Sequence, residues 1–288
     1  MNSLEKITIV LISYFSYKKI KIFIKKIPKN VCVLVLENSN DDKIKKLNNR
    51  KNLKVIYKKN DGYGSSINYA SKIIKTKYFL VVQPDIKGID KKALLNFYNY
   101  GEKLNGNFSV IGPHFLNASK KGHFQTNIKE KIKEINNVHG SVMFFNLKNF
   151  KKLNGFDKKI FLYWEETDFT KRAWEKKIPV YQLNKVRVFH DKGLSVGLSK
   201  NITSNNIKYL YVWHFIWSKY YFYKKHYGAI GSLIYFIPII LRCLIKILYY
   251  KNINLDKFYK YHCRLNGLIS SIMGKKSYFR LNNIKKMY

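Results

Sequence analysis

Apolar runs of strand length alternate with amphipathic stretches through the first part of the chain. Ile7 to Ile12 and Val31 to Leu36 are continuous apolar runs, and Lys18 to Lys26 between them carries Ile20, Phe23 and Ile24 at helical spacing. Leu53 to Tyr57 predicts a third strand, Ser65 to Lys75 a helix and Tyr78 to Val82 a fourth strand. Polar residues follow each strand: Glu37-Asn38-Ser39-Asn40-Asp41-Asp42, then Asn60-Asp61-Gly62-Tyr63-Gly64, then Gln83-Pro84-Asp85. This order predicts an α/β fold with a mostly parallel, Rossmann-like sheet flanked by helices. Ligands of such sheets gather beyond the carboxyl ends of the strands, so Glu37, the glycine loop and Asp85 are expected at one crevice.

Further along, Lys91 to Leu104 reads as a helix and Phe108 to Gly112 as a short strand; Asn117 to Asn137 is a polar, Lys-rich connection. Val138 to Phe145 is an apolar strand with Gly140 where something must come close, and Lys148 to Leu153 leads to the turn Asn154-Gly155-Phe156-Asp157. A helix is expected from Asp168 to Lys177, followed by short strands Val180 to Leu183 and Val186 to His190 and a loop to Gly193. Ile207 to Tyr227 interleaves aromatic residues with lysines. Gly228 to Tyr250 is strongly apolar, with Pro238 inside it and Arg242 and Lys246 one helical turn apart. That profile fits a helix lying in a bilayer surface with its cations snorkelling from one face, and equally a buried helical hairpin. The longest apolar segment, Ala229 to Leu241, falls short of the roughly 20 residues that span a bilayer, so no transmembrane helix is expected. Nor is a signal peptide, because the apolar run after Lys6 is only strand-length.

The charge changes the picture. With 55 Lys and Arg against 17 acids in 288 residues, the net charge of +38 implies an anionic partner: nucleic acid, an acidic membrane surface or a phosphorylated substrate. An AT-rich coding sequence, which favours Lys, Asn, Ile and Tyr together, is the competing source of the excess. Acids are scarce, yet Asp157, Glu165, Glu166 and Asp168 fall in one short stretch. Like charges that close raise one another's proton affinity, as a general base near neutral pH requires; an acidic helix N-terminus favoured by the helix dipole gives the same pattern. The other polar positions also have two readings. The Asn60 to Gly64 loop is either an ordinary turn or a phosphate cradle, Asp85 a strand-ending cap or a ligand for Mg²⁺ or Mn²⁺. Glu37 is either a solvated strand end or an acceptor for a nucleobase or ribose. Cys32, Cys243 and Cys263 lack metal-type spacing and read as reduced thiols of a cytoplasmic protein.

Taken together in order, these motifs resemble the inverting family 2 glycosyltransferases of the nucleotide-diphospho-sugar-transferase (GT-A) fold, within them the rhamnosyltransferase and galactofuranosyltransferase group. The resemblance runs from about Ile7 to about Tyr227. It rests on Leu36-Glu37-Asn38-Ser39, on Asn60-Asp61-Gly62-Tyr63-Gly64 through Asn68, on Gln83-Pro84-Asp85, on Gly155-Phe156-Asp157 with Phe161-x-Tyr163-x-Glu165-Glu166-x-Asp168-x-x-x-Arg172, and on His190. It implies that Glu37, Asn60, Gly62, Gly64 and Asn68 bind the nucleotide-sugar donor. Asp85 and His190 become contacts of a divalent metal, Mg²⁺ or Mn²⁺, and Glu166 the general base, with Glu165 and Asp168 raising its pKa. Gln83 departs from the family's Asn or Asp, and Glu166 replaces its commoner Asp.

The resemblance further implies residues 1–112 as the donor-binding half, 113–205 as the acceptor-binding and catalytic half, and 206–288 as a basic, aromatic helical tail. The expected activity is transfer of a sugar, first L-rhamnose from dTDP-rhamnose, to a glycan or polyprenyl-diphosphate-linked acceptor in cell-envelope assembly. The expected place is the cytoplasmic face of the membrane, on an anionic membrane surface and without nucleic acid. Two rivals remain at this point: a basic nucleic-acid-binding protein, and an inactive transferase-like membrane adaptor.

Overall fold

The computed structural model describes residues 3–47, 50–117, 129–191 and 204–280. The chain opens with β1 (Ile7–Ser13), α1 (Tyr17–Ile24), β2 (Cys32–Glu37), β3 (Leu53–Tyr57), α2 (Tyr63–Ile73) and β4 (Tyr78–Val82). Next come β5 (Ile86–Lys87), α3 (Lys91–Lys103), β6 (Val110–Phe115), β7 (Ile132–Glu134), β8 (Val142–Asn146) and α4 (Leu147–Lys152). The last elements are α5 (Glu165–Glu175), β9 (Val180–His190), α6 (Ser204–Tyr227), α7 (Ala229–Tyr250) and α8 (Leu255–Ile272). The chain divides into two compact units, residues 1–157 with 165–197, and residues 158–164 with 198–288.

The first unit is built on a sheet ordered β3-β2-β1-β4-β8-β6-β9-β5, with β7 also pairing β9. β1 to β4 are mutually parallel as expected. Polarity reverses at β8, which runs antiparallel to both β4 and β6, so the sheet as a whole is mixed. Period-two alternation divides its core. Ile7, Ile9 and Leu11 of β1 face a cluster containing Ile20 and Phe23 of α1 and Phe97 of α3. Val10 faces the opposite cluster, with Ile67 and Ala70 of α2, Phe150 of α4, Phe169 of α5 and the loop residue Phe156.

Several element ends shift by a few residues, as where the strand expected over Val138 to Phe145 starts at Val142, and four further local expectations differ from the structure. The two strands expected between Val180 and His190 are one, β9; its register against β6 jumps from Pro113↔Leu183 to His114↔Arg187. Pro113 has no N–H to give the ladder, which makes this a natural place for pairing to slip. The acid-rich helix starts at Glu165 rather than Asp168, so the carboxylates occupy its first turn. The strand β7 arises within the connection read as irregular, whose residues 118–128 lie outside the described residues, as do 192 and 193 of the loop after His190.

The fourth correction concerns α7. It runs unbroken for 22 residues through Pro238, Arg242 and Lys246, and is long and apolar enough by length and composition to cross a membrane. Lys246 is no obstacle to the helix, being a good helix former, and its ammonium lies 5.3 Å and 5.4 Å from the Tyr249 and Tyr250 rings. In this second unit α6 packs against α8 through Trp213 and Gly267. A Cβ on Gly267 would sit 2.7 Å from the Trp213 carbonyl oxygen. His214 is fully buried and ties down residues 277–279: Nε2–H donates to the Phe279 carbonyl (2.8 Å), which leaves Nδ1 to accept from the Ser277 hydroxyl (2.9 Å). Burial pushes its pKa down to about 3.

Candidate active site

Parallel register brings the polar strand ends together. Ser13 of β1 pairs with Glu37 of β2, Glu37 with Tyr57 of β3, and Val10 with Val81 of β4. Asp85 lies three residues beyond β4, at the same edge. Glu37 is wholly buried. Its Oε1 accepts from the Ser39 amide (2.5 Å) and hydroxyl and fixes the turn, while Oε2 is buried with no partner. Asn38 donates to the Ser66 hydroxyl (2.7 Å), and its Oδ1 is likewise unpartnered.

In the glycine loop, Asn60 accepts from the Gly62 amide (3.3 Å), and Gly62 sits at φ 110° at the start of α2. Gly64 has a packing reason: a Cβ there would meet Phe156 at 2.9 Å. Asn68 clamps the same residue from both sides, accepting from the Phe156 amide and donating to its carbonyl, each at 2.8 Å. Its amide is thereby engaged within the protein.

The β5–β9 pairing sets Ile86 opposite His190, and the Asp191 amide donates to the Asp85 carbonyl (3.1 Å). His190 Nε2 stands 3.4 Å from Asp85 Oδ2. Both Asp85 oxygens and His190 Nδ1 are buried without a hydrogen-bond partner. Among the described residues no three His, Cys, Asp or Glu side chains group as a metal cage. One carboxylate and one imidazole with free lone pairs still fit a hard divalent ion that draws most of its ligands from phosphate and water. Lys19 of α1 lines a cavity of about 160 Å³ with Pro84, Asp85, Lys87 and Asp191. Burial lowers its pKa, opposed by Asp85 and Asp191.

Glu165 is 4% exposed, with Oε2 unpartnered. Burial first, then the charge of Glu166, raises its pKa well above the ordinary carboxylate range. Burial raises Glu166 to about 7, against the pull of its backbone N–H. The Glu166 carboxyl lies against Gly140, where a Cβ would sit 3.3 Å from it. Asp168 is held differently. Its Oδ2 accepts from Arg172 Nε (2.8 Å), and the same guanidinium donates to the carbonyls of Leu153 and Gly155.

The sequence reading passed over three residues here. Tyr63 donates to the Gly140 carbonyl (2.9 Å), and burial followed by the charges of Glu165, Glu166 and Asp85 raises its hydroxyl pKa well above the usual value. The His139 ring stands edge-on to His190 at 5.4 Å. Lys19 is the third. A tyrosine between two glycines and a histidine before Gly140 were the available signals; Lys19 had none, being one lysine among many.

No protein-family model matches the chain. The low-salt glycan biosynthesis hexosyltransferase Agl10 of Haloferax volcanii is 23% identical over 212 residues, covering 66% of this chain and 68% of that protein. Among solved structures, S. aureus TarS with UDP-GlcNAc superposes with a TM-score of 0.55 at 16% identity, over 95% of this chain and 93% of TarS. The Pyrobaculum calidifontis mannosyltransferase PcManGT with GDP-Man and Mn²⁺ gives 0.56 at 10% identity, over 94% and 88%. GalNAc-T7 with UDP, GalNAc and Mn²⁺ gives 0.54 at 12% identity over 75% of this chain, which spans about half (49%) of that protein's chain. The fold is that of the GT-A glycosyltransferases. In this GT-A fold Glu37, Asp85, His190 and the Glu165–Glu166 pair all belong to the first unit.

Proposed function

We propose that this protein is a metal-dependent, inverting glycosyltransferase. In this reading it moves a hexose, with L-rhamnose from dTDP-rhamnose as the first candidate, onto a lipid-linked or growing glycan acceptor. One observation carries the proposal: buried acceptor atoms without partners concentrate at Glu37, Asn38, Asp85 and Glu165, in a chain where acids are scarce. Such atoms are costly to leave unsatisfied, so a set of them at the strand ends fits a ligand that completes them.

Inversion is a single displacement. Glu166 accepts the proton of the acceptor hydroxyl, whose oxygen bonds to the anomeric carbon as the bond from that carbon to the nucleoside diphosphate breaks. A carboxyl of pKa about 7 is matched to that task. Glu37 accepts hydrogen bonds from the nucleoside, and Lys19 faces the departing diphosphate. Asp85 and His190 would hold a Mg²⁺ or Mn²⁺ ion, which neutralises charge on that leaving group.

The second unit supports a reading of membrane association. α7 buries Ser232, Phe236 and Cys243 and leaves Ile230, Ile234, Leu241, Ile245 and Leu248 exposed. A helix packed on one side and apolar on the other suits the plane of a bilayer, and the +38 charge favours an anionic, cytoplasmic leaflet.

The test is calorimetry of UDP, dTDP and GDP with and without Mn²⁺, using Asp85→Asn as control. Metal-dependent binding of one nucleotide, lost in the variant, is expected. Binding of none of the three removes the donor site and the proposal with it.

A further inference from the structure

Two segments of the first unit meet the carboxylate pair at the start of α5. One is the first turn of α2, where a Cβ on Gly64 would lie 3.5 Å from the Glu165 Cβ. The other is the turn before β8, where a Cβ on Gly140 would lie 3.3 Å from both the carboxyl carbon and an oxygen of Glu166. The second fit is the tighter. Glu166 therefore rests on bare backbone, and whatever holds that backbone sets one wall of the carboxyl's place.

Tyr63 ties the two segments together. It is the first residue of α2, and its hydroxyl donates to the Gly140 carbonyl (2.9 Å) across 77 residues of chain. Its ring packs at the edge of the cluster that holds Phe156 and Phe169, so ring and hydroxyl have separate tasks. β8 begins only at Val142, and at Gly140 the tyrosine takes over from the sheet. The neighbouring residue is held as well: the Gln83 amide donates to the Ser141 carbonyl (2.8 Å), and the Ser141 amide donates to His139 Nδ1 (3.2 Å). Tyr63, Gln83, residues 139–141 and the Glu165–Glu166 pair all belong to the first unit.

We propose that Tyr63 is a positioning residue for the base: its hydroxyl holds the Gly140 backbone, and that backbone sets where the Glu166 carboxyl stands. This rests on the reading of Glu166 as base. It gives the glycine loop, read above as donor-binding, a second task on the acceptor side of the reaction.

The test uses the full chain, with release of nucleoside diphosphate from dTDP-rhamnose, UDP-glucose and GDP-mannose, water serving as acceptor. Tyr63→Phe keeps the ring and removes the hydroxyl. Expected is a kcat lower by at least about fivefold, the worth of one hydrogen bond, and by up to the roughly 100-fold that small displacements of a reacting group cost, with donor KM changed less than about twofold. Combination with Glu166→Gln separates positioning from a general loss of structure. A residue that acts through the Glu166 carboxylate has nothing left to position once that group is gone, so Tyr63→Phe should then change kcat by less than about twofold. Gly140→Ala is the second variant. Its methyl enters the carboxyl's place directly, and the same loss of kcat at unchanged KM, again absent in the Glu166→Gln background, is expected.

A loss below about fivefold in Tyr63→Phe, a loss that persists in the Glu166→Gln background, or a donor KM that rises in step with it overturns the inference and leaves the enzyme reading standing. Wild-type turnover in Glu166→Gln itself removes the base and the inference with it. A wild-type chain that releases diphosphate from none of the three sugars overturns the inference and the enzyme reading alike.

Discussion

Replacing Glu166 with Gln should make the protein more stable and less active at once. Burial lifts the Glu166 carboxyl from its ordinary 4.5 to about 7, so the folded state binds this proton more tightly than the unfolded chain does. The associated stability is complete below pH about 4.5 and is lost as pH rises through about 7. At about 1.36 kcal/mol per tenfold change in proton affinity, a displacement of that size is worth roughly 3 kcal/mol; partial solvent access brings it to about 1–2 kcal/mol. Gln keeps the shape and cannot ionise. Urea unfolding followed by circular dichroism should therefore show Glu166→Gln more stable than wild type by about 1–2 kcal/mol at pH 8 and equal to it at pH 4.5. Transfer should fall by about 10²–10⁴, and wild-type kcat should climb with pH to a plateau above about 7. A variant no more stable at pH 8 than wild type would refute the account of Glu166 as a carboxyl whose ionisation the fold resists.

Two further outcomes are expected. Gly155 has φ 62°, and a Cβ there would lie 2.3 Å from Asn68 Oδ1; Gly155→Ala should cost about 2–4 kcal/mol in urea unfolding by breaking the Phe156 clamp. The full chain should co-sediment with vesicles containing anionic lipid. Ile234→Asp with Ile245→Asp on the exposed face of α7 should release it, whereas raising salt from about 0.1 M to 1 M should weaken binding only in part, because apolar contact is not screened.

Legibility followed the reach of periodicity. Leu53–Tyr57 and Tyr78–Val82 are read to the residue because each is a short apolar run bounded by polar neighbours. β5 and β7, of two and three residues, are too short to carry a period and exist through pairing with β9. The reversal at β8 is a tertiary event that no local pattern encodes. The apolar run of α7 counts only to Leu241 because Arg242 and Lys246 interrupt it in sequence, whereas the helix itself continues to Tyr250. The same limit explains Lys19, whose meaning comes only from the cavity it shares with Asp85.

Hydrogen-bond satisfaction separates the motif residues into two groups that sequence resemblance treats alike. Asn68 gives its amide to both sides of Phe156, and Asp168 gives its carboxylate to an arginine that also holds the Leu153 and Gly155 carbonyls. These two, with Arg172, are already engaged at the turn that precedes α5, and we read them as framework. Glu37, Asp85, Glu165 and His190 are buried to a similar degree and yet keep atoms without partners. Buried groups left open in this way are tolerated where something outside the chain completes them. The distinction predicts opposite signatures. Asn68→Ala should lower stability and kcat together with nucleotide affinity little changed, by losing two buried hydrogen bonds worth about 1 kcal/mol each or more. Glu37→Gln should leave stability nearly unchanged and weaken the nucleotide. Calorimetry and urea unfolding on the pair decide it: a stability loss confined to Glu37→Gln, or an affinity loss confined to Asn68→Ala, would reverse the assignment.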